Sequence, residues 1–503
     1  MAASRSNLLT SGIPCVGDPD KMMRSFSLYK RPSRELPSMD GIVATNADQE
    51  QANQPVPWHL SLPHICVALI ISALFGYHIG VVNIPLPYIS RDLGFGENSL
   101  AQGFVVSVCL IGAFAGCAIS GTVADRLGRR RAFQLCAIPM VLGPILSAKA
   151  WNLASMLVGR LLVGCGLGIG APVLALYVSE VSPTQVRGSF GSFPQTATCI
   201  GLLAALIVGL PISSTPDWWR ACFWISTLPA ALLLLGMEFC AESPRWLFKN
   251  SRWYEAEHEL ERLWGAAHAK AAMSELVQSE QSDDLEMIAP WKELLDRRYV
   301  RAVLLGGGLF ALQQFSGINA IFYFSSTVLK SAGVSSDLAA TVSVGAVNLV
   351  GSFVAAGLMD RLGRRKLMMW SFTGMAVSMA MQAAVAAFGF LKPIRATTTL
   401  IGTLFYVFSF ASGAGPVPAL LLPEIIPIRI RGKAMAFAMC VHWVAHFFVG
   451  LLFLPLINAT GASVLYTFFS VVCFFAAIFV KRNVVETKGR SLEDLEMLLV
   501  AGH

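Results

Sequence analysis

Three amides, Gln313, Gln314 and Asn319, stand with Tyr323 in the run Gln313-Gln-Phe-Ser-Gly-Ile-Asn-Ala-Ile-Phe-Tyr-Phe-Ser325, which is otherwise long and apolar enough to lie in a bilayer. Read as one continuous helix, side chains three, four and seven apart share a face, so one stripe is polar and the rest greasy. Amides hydrogen-bond in both directions and carry no charge. That chemistry suits a neutral polyhydroxylated ligand that must bind and also leave. A lone amide in such a helix serves equally well as interhelical glue; four polar groups clustered around Gly317 point instead to a wet cavity.

Other groups stand at the same depth. Gln195, Asn348 and Trp443 each fit packing as readily as ligand binding, and Pro194 is expected to break its helix and free carbonyls toward a cavity. Gly413-Ala-Gly-Pro-Val-Pro418 reads as a second broken helix and a gate. His442 and His446 are four apart and share a helical face, a spacing that can hold a metal. With no carboxylate between them and no third ligand nearby, cavity lining or interhelical hydrogen bonding is the expectation, and no metal or cofactor is expected.

The elements that must position these groups are membrane helices. The chain has 503 residues, 55% hydrophobic and 14% charged, with mean hydropathy +0.60, too apolar for an ordinary soluble domain of this length. Twelve apolar spans can be drawn, roughly 64–90, 100–124, 132–150, 153–180, 189–211, 219–241, 302–330, 338–359, 367–390, 398–423, 433–456 and 462–481. Lys and Arg gather after every second span, so the net charge of +7 reflects topology signals and no nucleic-acid partner is expected. By the positive-inside rule the basic loops, both termini and the polar stretch 242–300 share one cytoplasmic-type face.

The expected organisation is a disordered tail over 1–58, a six-helix bundle over 59–241, a linker with short helices over 242–300, a second six-helix bundle over 301–482 and a tail over 483–503. The first tail leans toward an organelle transit peptide in its opening residues, while its scattered acids fit an ordinary cytosolic tail. The 11 Cys are dispersed without CxxC spacing and read as small buried residues. Gly164-Cys-Gly-Leu-Gly-Ile-Gly170 is expected to let helices approach closely. No nucleophile elbow, phosphate loop or dinucleotide fingerprint stands in a matching context, so an enzyme is not expected.

An internal repeat divides the chain. Asp125-Arg-Leu-Gly-Arg-Arg130 recurs as Asp360-Arg-Leu-Gly-Arg-Arg365, and Tyr177-Val-Ser-Glu180 with Arg187 recurs as Leu421-Leu-Pro-Glu424 with Arg431, at offsets of about 235 and 244 residues. A positive-inside anchor accounts for the arginines but not for the Asp or the repetition. Pairing of Asp125 or Asp360 with an Arg of a neighbouring loop is expected to form a gating latch. Its members are Arg126, Arg129, Arg130, Glu180, Arg187, Glu242 and Arg245 in the first copy, and Arg361, Arg364, Arg365, Glu424 and Arg431 in the second.

Together with Gly159-Arg160-Leu, Glu242-Ser-Pro-Arg245, Gly415-Pro-Val-Pro418 and Val485-Glu-Thr-Lys-Gly489, these motifs resemble the sugar porter family of the major facilitator superfamily over roughly Leu62–Leu495. Phe75-Gly-Tyr-His78-Ile-Gly-Val-Val-Asn83 and Asn483-Val-Val-Glu-Thr-Lys-Gly-Arg-Ser491 are similar to its plant plastidic glucose transporter branch.

The resemblance implies an all-α polytopic membrane protein with two pseudo-symmetric six-helix bundles and alternating access. A hexose, glucose first, would be held by Gln195, Gln313, Gln314, Asn319 and Asn348, with Trp443 stacking on its apolar face. It also implies a plastid envelope location, a small neutral sugar and the bilayer as partners, and a coupling position at His78 and Arg160. Proton-coupled relatives carry Asp where this chain has His78, which implies facilitated diffusion; proton symport and a sugar sensor are the alternatives. The chain departs from the common pattern at Ala241, Ala419 and His446, the last standing where relatives usually place Asn and so bearing on sugar specificity. No obligate protein partner is implied.

Overall fold

A backbone in hydrocarbon must satisfy its own hydrogen bonds, so the apolar runs become helices and the Gly, Pro and basic stretches between them become turns. The computed structural model describes residues 56–488 apart from 184, 211–214, 216, 284–290 and 335–336, and nothing of the side chain of Asp360. The expected tails therefore lie outside the described residues up to residue 55 and beyond residue 488.

The first half comprises α1 (Leu62–Gly80), α2 (Leu86–Asp92), α3 (Ser99–Leu127), α4 (Arg129–Ala148), α5 (Leu153–Val181), α6 (Arg187–Val208) and α7 (Trp218–Gly236). Between the halves run α8 (Pro244–Lys249), α9 (Trp253–Trp264), α10 (Ala266–Asp283) and a 3-10 turn at Trp291–Leu295. The second half comprises α11 (Val300–Phe315), α12 (Ile318–Ser331), α13 (Asp337–Leu362), α14 (Arg364–Ala387), α15 (Arg395–Ser409), α16 (Val417–Ile425), α17 (Ile428–Thr460) and α18 (Ala462–Asn483).

Ten of the twelve expected spans are long and apolar enough, by length and composition alone, to cross a membrane. The other two are the seventh and the ninth. The seventh is split into α11 and α12, each too short by itself, and α14 opens on Arg364, Arg365 and Lys366 and carries Ser371, Thr373, Ser378 and Gln382. The first span stops at Gly80 and resumes as α2, so it is not the single run drawn from hydropathy. Pro194 does not break α6; its carbonyl takes the Thr198 hydroxyl at 2.9 Å.

The packing repeats six spans apart. In the first half α1 packs on α6, α3 on α5, and α4 on both α5 and α7; in the second α11 packs on α17, α13 on α15, and α14 on both α15 and α18. The halves meet along two equivalent seams, α3 against α17 and α6 against α13. The Gly run of α5 does bring helices together: a Cβ at Gly164 would lie 1.9 Å from the Cys109 carbonyl oxygen of α3.

At the end away from the basic turns, the halves are sealed. A Cβ at Gly103 of α3 would lie 2.3 Å from the Leu451 carbonyl oxygen of α17. Asn83, in the turn between α1 and α2, donates Nδ2–H to the Phe322 carbonyl at 2.6 Å and to Ser325 Oγ at 2.8 Å of α12. Its Oδ1 accepts the Ser326 amide at 3.2 Å, and its own carbonyl accepts the Ser326 hydroxyl at 3.0 Å. A 1% exposed side chain so fully committed to the other half works as a latch. Asn83→Ala removes most of these bonds, so the population should move toward the state open at this end by a free energy of about 1–3 kcal/mol. Alkylation of a cysteine placed at Ser325 in each background reads the shift; equal labelling rates with and without Asn83 would show that the latch is elsewhere.

Candidate functional site in the seventh, tenth and eleventh spans

The amide stripe does not lie on one continuous helix. Gly317 takes φ +91°, a conformation that favours glycine, and a Cβ there would meet the Phe469 ring at 2.8 Å, so the seventh span breaks between Phe315 and Ile318. The tenth span breaks as expected, through a π turn at Phe410–Ala414 followed by Pro416 and Pro418. Each break is capped by the other. Gln313 Nε2 donates to the carbonyls of Ala414 at 2.7 Å and Gly415 at 3.0 Å, while the Tyr406 hydroxyl donates to the carbonyl of Ser316 at 2.8 Å. Gln313 therefore spends its amide hydrogens on backbone.

Gln314 is differently placed. Its Oε1 accepts Asn319 Nδ2–H at 2.5 Å, and its Nε2 lies 3.0 Å from His442 Nδ1 of α17 and 3.4 Å from Gln313 Oε1. One helical turn on, His446 Nε2 lies 3.1 Å from the Tyr323 hydroxyl, and its ring stacks between Tyr323 and Trp443 with centroids 5.7 and 6.3 Å away. The two histidines thus bond across helices, as the sequence led one to expect. Both carry Gln314 and Tyr323 in place.

Gln195 and Asn348 form a second cluster. Both amides point their nitrogens at the thiol of Cys199, Asn348 Nδ2 at 3.2 Å and Gln195 Nε2 at 3.7 Å, and this joins α6 to α13 across the halves. Trp443 belongs to the first cluster through His442 and His446, and its edge-on neighbour Phe75 leads into the first half. Below it a cavity of about 10 Å³, room for one water, is lined by His78, Cys109, Arg160, Tyr323 and Trp443 among others. Arg160, 1% exposed, donates from Nε to the Val105 carbonyl and from Nη2 to the His78 carbonyl, both at 3.2 Å. Among the described residues it forms no ion pair, and neither ring nitrogen of His78 has a hydrogen-bond partner.

The charged turns form two matching clamps, each within its own half. In the first, Arg129 pairs with Glu180 through Nε and Nη2, both at 2.8 Å, and Glu242 accepts the backbone amides of Arg129 at 2.8 Å and Arg130 at 3.2 Å. In the second, Arg364 reaches Glu424 at 3.2 Å, and Glu486 accepts the amides of Arg364 at 2.8 Å and Arg365 at 3.2 Å. A carboxylate at the start of a helix meets the free N–H groups and the positive end of the dipole. Gly128 and Gly363 make room: a Cβ would come within 2.5 Å of Glu242 Oε2 and 2.6 Å of Glu486 Oε2.

The remaining latch residues are scattered around these clamps. Asp125, 75% exposed, lies 3.9 Å from Arg129 of its own turn, and Arg126 and Arg361 are exposed. Arg130 pairs with Glu238 at 3.3 Å, and Arg365 donates to the Lys481 carbonyl. Arg187 and Arg245 border a cavity of about 50 Å³ with Ser179, and Arg431 donates to the Ile426 carbonyl at 3.1 Å. Sequence reasoning missed three participants: Asn83, Cys199 and Glu486. Only Glu486 left a signal, since it follows Glu242 by 244 residues, the offset of Glu180 and Glu424.

Gln314→Ala strands the Asn319 amide and the His442 ring and removes a candidate sugar-binding group, so sugar binding should weaken by about 1–3 kcal/mol with insertion and fold retained. Isothermal titration against the folded variant checks it; unchanged affinity would remove Gln314 from the site. Glu242 offers a pH test. Burial raises its pKa above the usual carboxylate value against the pull of the Ser243, Arg129 and Arg130 amides. The native state then binds a proton more readily than the unfolded chain, so Glu242 adds stability as pH falls through the window between the two values. Glu242→Gln should flatten that part of the melting-temperature profile, and an unaltered slope would show that Glu242 is not the group titrating.

The chain is similar to known proteins over most of its length. A family model described as "Sugar (and other) transporter" matches residues 64–499. Probable plastidic glucose transporter 2 of Arabidopsis thaliana is 55% identical over 94% of this chain and 98% of its own length. Plastidic glucose transporter 4 of the same plant is 46% identical over 88% of this chain and 81% of its own. Among solved structures, the inward-open xylose transporter XylE from E. coli superposes with a TM-score of 0.75 at 29% identity, covering 87% of this chain and 99% of its own. The proton:xylose symporter XylE bound to 6-bromo-6-deoxy-D-glucose gives 0.73 at 29% identity, covering 88% of this chain and 99% of its own. With its two six-span bundles, its repeated clamps and a family match over most of its length, the chain belongs to the sugar transporter family of the major facilitator superfamily.

Proposed function

We propose that the protein carries a hexose, glucose first, across a plastid envelope membrane by alternating access and facilitated diffusion. The observation that carries the reading is the uncharged polar cluster Gln314–Asn319–His442 at a helix break, which offers donors and acceptors to hydroxyl groups without fixing an ion. The names of the plant relatives support glucose and the plastid.

The clamps keep each half rigid, so rocking is concentrated at the seams and at the Asn83 latch. The ion pairs of the clamps lie within a half, Arg129 with Glu180 and Arg364 with Glu424, and Arg429 of the second half pairs with Glu293 of the linker at 2.6 Å. The basic turns and both termini are assigned to the cytoplasmic-type face by the positive-inside rule.

Proton coupling needs a group that takes up and releases a proton at the site during each cycle. The carboxylates held away from solvent in the first clamp, Glu242 and Glu180, stand at the basic turns, far along the chain from the amides. Arg160 faces the backbone of His78 where a carboxylate would complete an ion pair. Uniport follows. The structural relative described as a proton:xylose symporter makes symport the competing reading. Purified protein in liposomes should equilibrate labelled glucose without concentrating it under an inward proton gradient. Accumulation above equilibrium that a protonophore abolishes would establish symport instead.

A further inference from the structure

The Cys199 thiol is 0% exposed and sits where α6 of one half meets α13 of the other. It receives two amide N–H groups, from Asn348 at 3.2 Å and Gln195 at 3.7 Å. Asn348 is 3% exposed and its Oδ1 has no hydrogen-bond partner, a buried acceptor left open. An amide is a two-ended group: whichever end is engaged by protein, the opposite end is what a ligand meets. A sulfur that takes the nitrogen ends turns the carbonyl ends outward.

We infer that Cys199 is a specificity-determining positioning residue, whose thiol orients the Gln195 and Asn348 amides so that the substrate meets carbonyl acceptors at the seam of the two halves. The inference rests on the sugar-transport reading above. A sugar hydroxyl at this subsite must then act as donor. Its replacement by fluorine, which cannot donate, should hurt as much as its removal.

The experiment is competition of labelled glucose uptake in liposomes by each monodeoxy-glucose and its monodeoxyfluoro counterpart. For the protein itself, one position of the ring should show equal losses for the deoxy and fluoro sugars. In Cys199→Ala both amides are free to turn and present N–H, so at that position the fluoro sugar should gain on the deoxy sugar by about fivefold, the worth of one ordinary hydrogen bond. Cys199→Ser keeps an acceptor in place and should retain the original ratio. Cys199→Val replaces the Ala variant if that one does not fold, as judged by its melting temperature in detergent. A ratio unmoved in the folded Ala or Val variant overturns the inference, and so does a Ser variant that shifts as far as Ala, which would mean that size and not acceptance matters. Absence of saturable hexose uptake by the unmodified protein overturns the transport reading itself and this inference with it.

Discussion

Breaking a helix inside a membrane leaves carbonyls that no water can satisfy, and each such group costs several kcal/mol if it stays bare. Two spans here are broken side by side, and each supplies what the other lacks. Gln313 covers Ala414 and Gly415, Tyr406 covers Ser316, and Ser371 donates to the Ser409 carbonyl while accepting the Ala414 amide. Because the Gln313 and Tyr406 bonds run between the seventh and tenth spans and Ser371 of α14 ties down the same turn, both breaks are held in one place. That fixes Gln314, the next residue after Gln313, at the mouth of the break and aims it at Asn319 and His442. The placing of this polar cluster is thus a by-product of how the backbone is repaired.

The same economy governs the charged face. Two carboxylates in each half converge on a single Arg-containing turn, one on the guanidinium and one on the helix start. Isolated surface pairs contribute little. Here the Arg129 and Glu180 side chains are 8% and 9% exposed, so the pair is largely desolvated and loss of one partner would leave the other stranded. Such clamps make each bundle move as one body, and the duplicated sequence gives both bundles the same clamp.

Much of this was legible from residues alone. Span hydropathy, the Asp-Arg-Leu-Gly-Arg-Arg repeat and the Pro-rich break of the tenth span all come from local composition, and local composition is what a sequence displays. The break at Gly317 was not legible, because one Gly in an apolar run has many uses and the Phe469 ring that forbids a Cβ lies 152 residues away. Asn83 and Cys199 were missed for the same reason: each is an ordinary residue in its own helix or turn, and only a partner from the other half gives it a bond across the seam. Nor does the sequence separate Gln195 from Gln313: the first meets a thiol at the seam, and the second spends its amide hydrogens on backbone repair.

What an alternating carrier requires is that the contacts closing one end be strong enough to seal and weak enough to break on each cycle. Neutral hydrogen bonds contribute about 0.5–1.5 kcal/mol each, so the four around Asn83 lie in the range of a few kcal/mol that a conformational equilibrium can tolerate. A buried ion pair in that position would cost far more to open. The distribution of chemistry follows from this: neutral bonds span the halves, at Asn83 and at the Asn348–Cys199 bridge, while the desolvated charges of the clamps are kept within a half. Movement is therefore confined to surfaces where separation exchanges amides and hydroxyls for water or sugar, partners that satisfy them nearly as well.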